Sequence, residues 1–205
     1  NGEDNTSSDP PFTAVTSAPP ETSAPATTAG STEKPDSNSS VATSDNEPTL
    51  DFDKDYFSSS LFIGDSISTG LSLYGFLDQQ NVFAQQGLAP STALDADIDG
   101  VTLSDKIASF KPKKIFVMLG TNSVGYADNE TLAGNMKELV EKISALTKAK
   151  IYVVSIPPVT QEAEKSDENA LTLKDITDYN TKLKSAISDT SATFIDLNHS
   201  CKRSS

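Results

Sequence analysis

The chain has 205 residues, with 29 acidic against 16 basic side chains and a formal net charge of −13. So acidic a polypeptide repels nucleic acid and anionic membrane surfaces, and neither is expected as a partner. No run approaches the roughly 20 apolar residues that cross a bilayer, and the single cysteine, Cys201, has no internal partner for a disulfide.

Residues 1–50 are half Ser, Thr and Pro, with Phe12 as the only aromatic and eight acidic residues against Lys34. Such a segment cannot bury enough apolar surface to offset the entropy of ordering, so it reads as a disordered acidic linker. A tail of this composition resembles the spacer that holds an enzyme away from a cell surface. The chain also begins at Asn1 rather than Met. The expectation is a secreted or cell-surface protein whose export signal is absent from this sequence, with the linker as a tether. A cytoplasmic disordered arm is the alternative. Residues 51–205 carry 21 acidic and 15 basic side chains, and their length suffices for one domain with a real core.

The first element of that domain is the apolar run Leu61-Phe62-Ile63, which ends abruptly in Gly64-Asp65-Ser66. It predicts a buried strand over 60–64 followed by a helix over 67–77. Further strands are expected at 81–85, 114–119, 150–156 and 192–197, the third and fourth nearly continuous in apolar residues, as in strands covered on both faces. Helices are expected at 103–110, 129–147 and 174–189. In 129–147 the stripe is Leu132, Met136, Leu139, Val140, Ile143 and Leu146, with Asn129 as N-cap. In 174–189 it is Ile176, Tyr179, Leu183 and Ile187. This alternation implies a three-layer α/β/α domain whose five-stranded, mostly parallel sheet has the flavodoxin-like order 2-1-3-4-5. Neither a Gly-x-Gly-x-x-Gly turn nor a Walker loop follows the first strand.

Three successive strands run into small or polar residues at one end of that sheet. The first delivers Ser66, the second Gln86-Gly87, and the third Gly120-Thr121-Asn122. In the 2-1-3 order, Gly87 and Asn122 flank Ser66. A serine attacking an ester needs donors aimed at the developing oxyanion, and a glycine N–H, an asparagine amide and the N–H of Ser66 meet that need. Each also has a plainer reading: Gly87 as a turn glycine, Asn122 as a loop side chain bonding backbone, and Asp65 as a tie for its own loop.

Gly64-Asp65-Ser66, Gly87 and Gly120-Thr121-Asn122 resemble, in order and spacing, the motifs of the SGNH hydrolases of the GDSL esterase/lipase family. Matching segments run from about 59 to 197, and Tyr179-Asn180 is similar to secreted bacterial members. Ser123 stands where many members have Asp. The resemblance implies Ser66 as nucleophile, with Gly87 and Asn122 completing the oxyanion hole.

A serine hydroxyl needs a general base, and the only histidine in the chain is His199. The resemblance implies an Asp-x-x-His block, which Asp196-Leu197-Asn198-His199 fits in spacing but not in surroundings. Asp196 closes the last strand, three spacings or about 14 Å from the first. The family's block lies on a separate loop well after that strand, so the domain is expected to be shortened or altered at its carboxyl end. A solvated strand-end histidine and a chance match are the other readings of His199. The implied function is a serine esterase, needing no metal or cofactor, that hydrolyses carbohydrate O-acetyl groups or small acyl esters through an acyl-enzyme. The alternative is a binding module for acylated glycans that kept the pocket and lost the base.

Overall fold

A computed structural model describes residues 53–166 and 171–198. The segment 1–50 and His199 lie outside the described residues. The strands, in chain order, are β1 (Ser60–Gly64), β2 (Val82–Ala84), a short pair β3 (Asp97–Ile98) and β4 (Val101–Thr102), then β5 (Lys114–Met118), β6 (Lys150–Val154) and β7 (Thr193–Ile195). The helices are α1 (Ser66–Leu73), α2 (Leu103–Phe110), α3 (Asn129–Leu146), α4 (Gln161–Ser166) and α5 (Leu173–Ile187).

Five of the strands form one parallel sheet in the order β2-β1-β5-β6-β7. Counting only these five, the order is the expected 2-1-3-4-5. Strand alternation divides their side chains between two faces. Leu61, Ile63, Ile115, Val117, Ile151 and Val153 are buried in one core with residues of α2, α3 and α5. On the other face the register aligns Phe62, Phe116 and Tyr152, whose rings stack at 4.7 and 5.0 Å between centroids. Right-handed crossovers set α1, which leads from β1 back to β2, on that second face.

The helices follow their apolar stripes, with shifts at the ends. Leu132, Met136, Leu139, Val140 and Ile143 of α3 are buried, while Leu146 is exposed. Asp128, not Asn129, caps α3, because its Oδ2 accepts the Thr131 N–H at 2.8 Å. Asn129 instead donates from Nδ2 to Asp178 Oδ2 on α5, at 2.8 Å. Helix α1 stops at Leu73 rather than 77, where Tyr74 is followed by Gly75 in a left-handed conformation, φ 74°. The β3–β4 hairpin was not expected. Its two-residue turn, Asp99-Gly100, has positive φ at both positions, as a type I′ turn requires.

The sheet's outer half is locked by Asn180 of α5, which is buried against the end of β6. Its Oδ1 accepts the Ile156 N–H at 3.1 Å, and its Nδ2 donates to the Ile156 carbonyl at 3.0 Å. Asn180→Leu removes the partners of both the N–H and the carbonyl of Ile156. The expected loss is about 2–4 kcal/mol of unfolding free energy, read as a lower urea midpoint at unchanged m value.

Candidate active site

The carboxyl ends of β2, β1 and β5 lie side by side, with Gly64 paired in register to Ala84 and to Met118. Ser66, Gly87 and Asn122 follow those register partners by two, three and four residues. The fold therefore brings their three segments together at one end of the sheet.

Ser66 is the first residue of α1, and its side chain is exposed. The N-terminus of a helix favours negative charge, so an alkoxide or an oxyanion is stabilised there. Asp65, fully buried, caps this helix. Its Oδ1 accepts the Ile67 N–H at 3.1 Å, and its Oδ2 accepts the Thr121 hydroxyl proton at 2.7 Å. Both carboxylate oxygens are thus engaged in fixing the corner between β1 and α1 to the loop after β5. Thr121 had no role assigned from sequence. Its partner lies 56 residues away, and no local pattern reports such a contact.

Gly87 occupies the third position of a turn closed by the Leu88 N–H on the Gln85 carbonyl at 3.1 Å. Its φ of 79° is the one a type II turn demands at that position. After β5, the Ser123 and Val124 N–H groups donate to the Gly120 carbonyl at 2.9 and 3.0 Å, a tight turn that presents Asn122 to solvent. Among the described residues, the Ser66 hydroxyl, the Gly87 N–H and the Asn122 amide have no hydrogen-bond partner. Two donor groups and a hydroxyl are therefore free to meet a ligand.

Tyr179 of α5 supports this loop from beneath. It is fully buried, and its hydroxyl donates to the Leu119 carbonyl at 3.0 Å. Burial, and secondarily the charge of Asp65, push its phenol above the ordinary tyrosine value, so the hydroxyl stays protonated and donating.

Residues 62–205 match the family model for the GDSL-like Lipase/Acylhydrolase family. The chain belongs to that family. Its members are ester hydrolases, and the fold above is the one the strand–helix alternation predicted. Among solved structures, a Streptococcus pneumonia protein described as a candidate platelet activating factor aligns with a TM-score of 0.51 and 20% identity. The alignment covers 69% of this chain and 66% of that one. A gut microbial diltiazem-metabolizing enzyme aligns at 0.49 and 19%, covering 69% and 37%. A GDSL-like lipase from Bacteroides thetaiotaomicron aligns at 0.49 and 15%, covering 72% of each chain. The chain thus spans just under two thirds of the first structure and little more than a third of the second. At these identities the likeness is one of fold. No curated protein matches the chain.

Asp196, the other acidic candidate, stands apart from Ser66. It follows β7 at the sheet's edge, three strands or about 14 Å from β1. Its carboxylate is exposed, and Oδ1 accepts the Asn198 N–H at 2.9 Å. The Leu197 N–H donates in turn to Ser155 Oγ at 2.9 Å, which ties this turn to the end of β6. Ser66, Gly87 and Asn122 are gathered at one end of the sheet beside β1, and the Asp196 carboxylate is held at its far edge.

Proposed function

We propose that the protein is a serine esterase acting on carbohydrate O-acetyl groups or other small acyl esters. The observation that carries this reading is the free Ser66 hydroxyl at the head of α1, between segments that present the unpartnered Gly87 N–H and Asn122 amide. Ser66 Oγ attacks the ester carbonyl. The negative oxygen that forms draws on the N–H groups of Ser66 and Gly87 and on the Asn122 side chain. The alcohol departs with a proton, and water then cleaves the acyl-serine. His199, the only imidazole in the sequence, is the proposed carrier of that proton.

The surroundings favour a small, hydroxyl-rich substrate. Beside Gly87 lies an open cavity of about 270 Å³ lined by Gln85, Gln86, Thr92 and Asp97. These side chains suit the hydroxyls of a sugar alcohol better than a long acyl chain. The acidic Ser/Thr/Pro composition of residues 1–50 supports a secreted or surface location, where such esters are met.

Asp196, engaged with Asn198 at the far edge, favours a second reading, a glycan-binding module without a working base. A serine-reactive organophosphonate separates the two. For an esterase, mass spectrometry is expected to find Ser66 fully labelled within minutes, and His199→Ala is expected to slow labelling about 10²-fold or more. No labelling of the wild-type chain, together with retained binding of an acetylated glycan, selects the binding module.

A further inference from the structure

The end of the sheet opposite Ser66 carries the reverse charge of the chain as a whole. β5 and β6 both begin on lysine, and these two, Lys114 and Lys150, are register partners on neighbouring strands. Lys111, Lys113 and Lys148 lie just ahead of them, and no acidic residue occurs within 106–127 or 142–161. Four of the five, Lys111, Lys113, Lys148 and Lys150, are exposed and line one open cavity of about 580 Å³ that has no acidic residue in its wall. An adjoining cavity of about 560 Å³ shares Lys148 and Lys150 and adds the hydroxyls of Ser144, Ser191 and Thr193.

Among the described residues, none of the four has an ion-pair partner, whereas Lys54, Lys137, Lys142 and Lys182 each face a carboxylate. Like charges on strands about 4.8 Å apart repel one another. Lys111 is also held at φ 51°, at the end of α2, a position where the backbone favours glycine. A cluster of unpaired cations with these features is suited to an external anion.

We propose that this cavity binds a linear polyanion, a chain of repeating phosphate groups, at the end of the domain remote from Ser66. Ammonium groups are compact point charges that follow diffuse charge along a flexible chain without the planar match an arginine fork requires. No aromatic side chain lines the larger cavity, so it lacks the stacking platform that single-stranded nucleic acid uses. A flat anionic bilayer would also face the rest of a chain that is acidic overall. A single strand entering the groove stays within the ~8 Å over which the lysines act at physiological salt. Bound this way, the protein is held on a phosphate polymer while Ser66 faces outward.

The test is fluorescence anisotropy of the full chain with labelled inorganic polyphosphate. Changing Lys111, Lys113, Lys148 and Lys150 together to Gln is expected to weaken binding about tenfold or more. The slope of log affinity against log salt should shrink by about 3, as for four contacts to a single-stranded polyanion. Changing Lys54, Lys137, Lys142 and Lys182 to Gln is expected to leave binding within about twofold, and matching thermal melts certify that both variants fold. Failure of the wild type to bind, or equal loss in the two variants, overturns the site. Binding to phosphatidylglycerol vesicles as tight as to polyphosphate overturns the linear chain as its occupant.

Discussion

Ser66→Ala is expected to lower the kcat for p-nitrophenyl acetate by about 10³-fold or more, with KM nearly unchanged. Alanine removes the attacking oxygen but leaves the Gly87 N–H, the Asn122 amide and the helix N-terminus where they are. Substrate therefore still binds and is still polarised, which is why the loss should fall on kcat. The hydroxyl is exposed and has no partner among the described residues, so its removal leaves no buried group unsatisfied and the thermal melt should not move. Asn122→Ala provides the internal comparison. It takes away one proposed oxyanion donor and is expected to cost about 10²–10³ in kcat, again without loss of stability. Equal rates for wild type and Ser66→Ala would remove Ser66 from the chemistry and, with it, the esterase reading of this site. A large fall for Ser66→Ala with none for Asn122→Ala would keep the nucleophile and place the oxyanion elsewhere.

The parts of this site that the sequence reveals are those written as breaks in local pattern. Leu61-Phe62-Ile63 and Ile115-Phe116-Val117 are apolar runs that stop in small polar residues, so strand ends and ligand-facing residues are read together. The order of the sheet follows because parallel strands joined by helices have few right-handed arrangements. Cap positions are less legible. Asp128 and Asn129 are both competent N-caps, and the choice between them rests on which one meets the Thr131 N–H while the other reaches Asp178. The Asp99-Gly100 hairpin had a signal, since Asp-Gly is the preferred type I′ dipeptide, but strands of two residues carry no alternation to support it. α4, over Gln161–Ser166, has no apolar stripe at all. The tie between Thr121 and Asp65 and the seat of Tyr179 beneath Gly120 join distant segments, and only the folded chain shows them.

That seat makes Gly120→Ala a damaging single methyl group near the site. Gly120 has φ of 127°, a region that residues with a Cβ enter only under strain of about 1–3 kcal/mol. The added Cβ would also stand 2.8 Å from Tyr179 Oη and 2.9 Å from two of its ring carbons. Tyr179 cannot swing aside cheaply, because it is fully buried and its hydroxyl is bonded to the Leu119 carbonyl. Overpacking of this kind adds about 1–3 kcal/mol. The sum, about 2–6 kcal/mol, is a large share of the 5–15 kcal/mol that holds a typical domain together. Chemical denaturation should show it as a much lower midpoint. Whatever Gly120→Ala protein remains folded must also displace the turn that presents Asn122, and a misplacement of about 1 Å can lower kcat about 10²-fold. Tyr179→Leu in the same chain separates the two causes, because it removes the ring but not the dihedral strain. The double-mutant cycle is expected to return a favourable coupling of about 1–3 kcal/mol. Simple additivity would show that the ring is not what excludes a side chain at Gly120, and the whole penalty would then belong to the backbone.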